Sequence, residues 1–196
     1  MEQFSLSGTS VALNATGFAS NVSGATFTLT ATSSGDSLAH KVTIHNDSAT
    51  DHSGKTVTLV GTDPDGKALT EVVTAPAGTA TVTSSGYFLT LTSSTPSATI
   101  GGDTFDIGWN ASSVTATFRP MRARSGMPFN IGFGTRVLSG TPTFSVQQTY
   151  GGVQWHEHAV VTSKTTATDG VYSAPVLGIR LAFAAAGGVT LEGLVQ

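Results

Sequence analysis

Trp155-His156-Glu157-His158 is the stretch of this chain that comes nearest to a metal-binding pattern. On a strand, His156 and His158 share one face, as paired imidazole ligands do, and Glu157 points to the other. Such a pair needs a further ligand close by, and here Ala159, Val160, Val161 and Thr162 follow. Exposed strand histidines are the expectation, with no metal. Asp63-Pro64-Asp65-Gly66 opens like a calcium loop, but it carries a Pro and lacks a downstream bidentate acid at EF-hand spacing. The Asp47-Ser48-Ala49-Thr50-Asp51 segment offers oxygens for a weakly held ion and reads more simply as a turn.

Covalent chemistry finds little support. No Ser sits in a Gly-x-Ser-x-Gly elbow. His40, His45 and His52 have Ser and Asp in plenty for a triad, as almost any sequence would. Gly101-Gly102 lacks the Lys-Ser/Thr that completes a phosphate loop. From Ala111 onward only three acids are available for paired-carboxylate hydrolysis. The reading is therefore not an enzyme, with no catalytic residue, no metal and no cofactor.

Binding residues are easier to find. Arg119, Arg122 and Arg124 form the one basic cluster, suited to an acidic partner surface or to a solvated connector. Trp109, Tyr150 and Trp155 could build a sugar-stacking platform, or serve as core and interface anchors. The opening Glu2–Gly8, with Phe4, reads as a tail that orders on a neighbour. Phe4, Trp155 and the three arginines are the candidate partner contacts.

Composition narrows the class. The 196 residues are 39% hydrophobic, enough for a core, but only 11% charged against about 25% in typical soluble domains. Thr and Ser fill the gap, and Thr suits the wet face of a strand. A net charge of −3 argues against a nucleic-acid binder working by phosphate neutralisation. The charge is uneven: three Lys face nine acids up to Asn110, whereas six Lys/Arg face three acids beyond it. One end is thus fitted for an acidic partner. There is no cysteine, hence no disulfide and no thiolate site. Met1-Glu2-Gln3-Phe4 lacks the basic and apolar regions of a signal peptide, and no apolar run reaches membrane-spanning length. Synthesis and folding in the cytoplasm, with no membrane partner, is the expectation.

The elements that must position these residues are strands. Period-two alternation recurs at Phe27/Leu29/Ala31, Val57/Leu59, Phe105/Ile107/Trp109, Phe129/Ile131/Phe133 and Ile179/Leu181/Phe183. Gly-containing turns separate these runs, and Asp63-Pro64-Asp65-Gly66 reads as a hairpin turn. The best helical stretch, Leu181–Ala186, reads equally as a strand end and a turn. The sequence predicts an all-β protein of two β-sandwich domains: an immunoglobulin-like one over 9–110, then a smaller jelly-roll-like one over 129–196. A flexible arm (1–8) precedes them and a connector (111–128) joins them. A single larger jelly roll is the alternative.

Two segments resemble known proteins. Residues 55–93, KTVTLVGTDPDGKALTEVVTAPAGTATVTSSGYFLTLTS, resemble a pattern of small structural proteins of tailed bacteriophages. It runs from a Gly-Thr-Asp strand end through an Asp-Gly turn, a Thr-Glu-x-Val strand and a Gly-Thr segment to an aromatic-led strand. Residues 140–196 are similar to phage virion modules, with Thr-Phe-x-Val-Gln, Trp-x-x-His, Asp-Gly-x-Tyr, Pro-Val-x-x-Ile-Arg-Leu and Gly-x-Val-Thr-Leu elements. The resemblance implies a non-enzymatic virion protein. A short chain with no coiled-coil or collagen-like shaft and no evident depolymerase domain favours a capsid decoration (cement) protein on the major capsid protein, and the local three-fold axes of a capsid favour a homotrimer. A neck, tail or fibre protein, binding a host surface or carbohydrate, is the alternative.

Overall fold

The computed structural model describes residues 2–120 and 129–196. Among them there is no helix, and 57% of the chain is strand, arranged in several sheets of β-sandwich architecture. The fold is all-β. The chain divides into two compact units, Ala12–Ser113 and a discontinuous one made of Met1–Val11 with Val114–Gln196.

Strands follow in chain order. β1 is Glu2–Ser10, β2 Asn14–Val22, β3 Ala39–Asn46, β4 Thr56–Thr62, β5 Ala68–Thr74, β6 Thr81–Phe88 and β7 Thr90–Pro96. β8 is Phe105–Val114, β9 Ile131–Gly140, β10 Phe144–Thr149, β11 His156–Glu157, β12 Asp169–Tyr172, β13 Gly178–Phe183 and β14 Gly187–Val195.

In the Ala12–Ser113 unit, one sheet runs β5-β4-β7, and β8, β3 and β6 are neighbours in a second, with β2 on β8. β4 shows how sequence sets the element: Val57, Leu59 and Gly61 are buried while Thr56, Thr58, Val60 and Thr62 face outward. Its hairpin to β5 is organised by Asp63. That side chain accepts the amides of Asp65 and Lys67 at 2.9 Å each, the Asp63 amide donates to the Lys67 carbonyl, and Gly66 takes φ +77°. The Asp63–Gly66 oxygens are thus engaged in a turn. Phe18, Ile44, Leu59, Phe88, Leu91, Phe105 and Ile107 fill the core. Trp109 belongs to it as well: its Nε1 donates to the Ala12 carbonyl at 3.1 Å, its ring meets Phe18 edge-on, and it lies where a side chain on Gly17 would have to go.

In the other unit, one sheet runs β1-β14-β9-β12, and β10 pairs with β11 and β13 in another. Glu2–Ser10, expected as a flexible arm, is β1, paired residue for residue with β14 from Glu2↔Val195 to Ser10↔Gly187. The tail reading fails on Phe4 and Leu6, which alternate with Ser5 and Ser7 and turn one face inward. Phe4 is 7% exposed and stacks on Phe118 at 4.2 Å between ring centroids. Residues 111–118, expected in the connector, are also ordered: β8 runs to Val114, the Thr115 amide donates to Leu181, and Phe118 bridges Ile179. β13 is buried along its whole length, as a strand covered on both faces must be.

Candidate functional site

Partner-binding candidates divide sharply. Phe4 is core, not contact: a ring this buried is not available to a neighbour without opening β1 from β14. Arg119 is exposed, while Arg122 and Arg124 lie outside the described residues. Trp155 is half-buried on the loop ahead of β11.

Around Trp155 the discontinuous unit builds its most distinctive surface. The Arg180 guanidinium lies over the indole at 4.0 Å, and its Nε donates to Gln147 Oε1 at 2.9 Å. Arg180 is only 8% exposed, so β13 and β10 hold the charge in place beneath the ring. Next along the loop, Tyr150 is 58% and Val153 86% exposed, with the Tyr150 ring 5.9 Å from that of His156. Leu177, also exposed, adjoins them: its amide donates to the Thr149 carbonyl and its Cδ2 approaches Gly152. Tyr150, Val153 and Leu177 thus stand exposed on the loops beside Trp155. Trp109, buried in the other unit, cannot join Tyr150 and Trp155 in a sugar platform.

His156 and His158 are not a matched pair. His156 is exposed on β11, whereas His158 is 7% exposed and wedged between Phe133 and Tyr172, 5.1 and 4.9 Å away. Its Nδ1 accepts the amides of Val160 and Val161, which leaves the proton on Nε2 facing the Val171 carbonyl at 3.3 Å. Both nitrogens serve the backbone. Glu157 accepts from the Thr162 hydroxyl. Nearby, burial pushes the Tyr172 hydroxyl above the ordinary phenol range, with Tyr150 adding to the shift, and this hydroxyl donates to Gln148.

The remaining histidines pair with acids in the Ala12–Ser113 unit. His40 is 1% exposed, with Nδ1 2.9 Å from the Asn110 carbonyl and Nε2 2.8 Å from Asp36. Burial alone would raise the Asp36 carboxyl. The bonds from His40, Ser34 and the Leu38 amide outweigh it and hold the group at about 2. The ring is thus held at both nitrogens, by a backbone carbonyl on one side and a carboxylate on the other. His52 donates Nε2–H to Asp103 at 2.8 Å and accepts Lys55 Nζ at Nδ1, 3.0 Å away. The His52 bond is the main cause holding Asp103 below the ordinary carboxylate range. Lys55 also donates to the Thr99 carbonyl, so this chain of groups ties two loops together. In the 47–51 loop, Asn46 and Asp51 accept the amides of Ser48 and Ser53 as turn-forming side chains do. Among the described residues no group of three or more His, Cys, Asp or Glu is placed to hold a metal.

One surface was not visible in the sequence. The outer face of β1-β14-β9-β12 carries a cleft of about 970 Å³ floored by Gly132 and Gly134 of β9. Register sets its walls: Glu192 and Asp169 flank Gly134, and Leu194 and Val171 flank Gly132.

No protein-family model matches the sequence, and no curated protein matches it. Among solved structures, allantoicase from Saccharomyces cerevisiae is similar at 11% identity, over 80% of this chain and 74% of that one, with a TM-score of 0.23. A likeness that slight carries no argument about function.

Proposed function

We propose that this chain is a non-enzymatic structural protein of a tailed-phage virion, a capsid decoration protein that binds the outer shell and stabilises joints between major capsid subunits. The observation that carries the reading is the apolar rim of Tyr150, Val153 and Leu177 beside the Arg180-backed Trp155. Such a rim gains by being covered, and covering it needs no reacting atom. The resemblance of residues 55–93 and 140–196 to phage virion modules supplies the kind of assembly. Copies arranged about the three-fold axes of a shell would each add a contact that is already intramolecular, raising avidity by about 10²–10⁴. Arg119 is a further contact in this reading.

The test is co-sedimentation of the purified chain with capsids lacking it, followed by heat and osmotic challenge. Binding that is lost in a Tyr150→Ser, Val153→Ser, Leu177→Ser variant, and particles that survive better when decorated, are the expected results. Undiminished survival of undecorated particles would end the cement reading.

A second reading, a neck, tail or fibre protein that touches a host glycan, is favoured by one feature. Trp155 presents a half-buried indole backed by the Arg180 guanidinium, an amphipathic ring of the kind on which a sugar face can stack. Copy number separates the two: hundreds per particle mean shell, a handful mean neck or tail.

A further inference from the structure

The outer face of β9 reads Gly132, Gly134, Arg136, because alternate residues share a face of a strand. Leu138, the extra residue where Val189 pairs with Val137 and Gly188 with Ser139, is exposed next along the strand. The strand therefore presents two gaps followed by two projections. Each gap has walls of a particular chemistry. Gly134 lies between Glu192 on β14 and Asp169 on β12, and the Asp169 carboxylate leans over it. Gly132 lies between Leu194 and Val171, both exposed, and the space a side chain would occupy there is open. The projections answer in kind: Arg136 is a cation and Leu138 an exposed apolar group at the β9 bulge. Among the described residues Arg136, Asp169 and Glu192 form no ion pair with one another.

We propose that this face is a two-fold contact between copies of the chain, with Arg136 of each seated over Gly134 of the other and Leu138 over Gly132. A two-fold axis lying between the faces at the level of Thr135 places residue 135+k of one β9 over residue 135−k of its mate. That operation brings Arg136 between Glu192 and Asp169, and Leu138 between Leu194 and Val171, twice over. The occupant is a second copy because the projections and the matching gaps lie on one strand, two residues from each other. An unrelated partner would have no cause to find both patterns in that spacing. Like charges do not meet: Glu192 falls opposite Thr190, its strand neighbour two residues back. Three strands about 30 Å long and the short β12, all about 4.8 Å apart, cover roughly 500 Å² in projection, below the usual ~800 Å² per partner. The association is accordingly weak and salt-sensitive, which suits a contact completed only where copies are already held close.

This contact does not rest on the phage reading and is tested on the purified chain alone. Sedimentation equilibrium across the micromolar to millimolar range is expected to give a monomer–dimer equilibrium that weakens with added salt. Arg136→Glu and, separately, Gly132→Gln are each expected to leave a folded monomer; the latter begins in the open space where a Cβ at Gly132 meets nothing within 4 Å. An Asp169→Arg, Glu192→Arg double variant is likewise monomeric by itself. Mixed with Arg136→Glu it is expected to restore a dimer, since the charges are then exchanged across the contact. A wild-type chain that stays monomeric at millimolar concentration, a dimer indifferent to these substitutions, or a mixture that fails to associate overturns the proposal. A trimer untouched by them overturns it too, while leaving the shell arrangement standing.

Discussion

Glu71 clamps the backbone at Gly86: its Oε2 accepts the Gly86 amide at 2.8 Å while Oε1 accepts the amide of Ser85 at 2.6 Å. The carboxylate of one strand thereby bonds two amides of β6, a strand it does not pair with. Glycine gives the carboxylate room, since a side chain there would come within 3.0 Å of Oε2 and 3.3 Å of Leu69. Replacing Glu71 by Ala leaves two amides to find water. The expected loss is about 1–3 kcal/mol, the range for hydrogen bonds to a charged group. Urea denaturation of the variant measures it, and faster amide exchange at Ser85 and Gly86 would localise it.

Asp36 and His40 set the acid limit of the Ala12–Ser113 unit. The Asp36 pKa is depressed to about 2 in the folded chain, against an ordinary carboxyl near 3.9 when unfolded. The unfolded state therefore binds the proton first as pH falls. The contribution is complete above about pH 4 and disappears as pH drops towards 2. Thermal melts in that window should show the wild type losing stability more steeply than Asp36→Ala.

That same Asp36→Ala change at neutral pH leaves the buried Nε2 of His40 without its partner. An unpaired buried polar group costs about 1–3 kcal/mol. His40→Gln, which keeps a donor on that side, is expected to lose less. Denaturation midpoints of the two variants check that ranking.

Thr43 offers the opposite sign. Its hydroxyl is buried on β3 with no hydrogen-bond partner, and the same holds for Ser94 on β7. Thr43→Val keeps the shape and removes the unsatisfied group, so it should stabilise by about 1 kcal/mol, readable as a higher melting temperature.

His158 gives a structural counterpart. Because Nδ1 accepts the Val160 and Val161 amides, His158→Phe fills the space between Phe133 and Tyr172 but abandons two donors. A loss of about 2 kcal/mol is expected, while His156→Ala, on the exposed strand, should be close to neutral. Zinc should shift neither melt.

Alternation made the all-β class legible, and the β4–β5 hairpin was readable from Asp63 and Gly66 because turn chemistry is local. What was hidden depended on pairing across the chain. Glu2–Ser10 offers only Phe4 and Leu6 among Ser, Gly and Thr, so its inward face is faint until β14 lies beside it. Arg180 looks like a surface charge; its burial follows from β13 being covered on both faces. Gly132 and Gly134 fall on the polar side of the Phe129/Ile131/Phe133 alternation and become a cleft floor only when register supplies Glu192, Asp169, Leu194 and Val171 as walls. His40 and Asp36 are four residues apart, but nothing local tells that Asn110 will claim the other nitrogen.

The pairing of β1 with β14 orders events during synthesis. Ala12–Ser113 leaves the ribosome with β2 to β7 and nearly all of β8 in hand and can condense early, whereas the Glu2–Ser10 ribbon must wait, unpaired, for Gly187–Val195. Nascent copies stalled before Gly187 should therefore carry a protease-sensitive Glu2–Ser10 segment that becomes resistant once Gly187–Val195 has emerged. With Glu2 opposite Val195, a short peptide linking these two positions should be tolerated, and breaks elsewhere in the β1–β14 ladder should not.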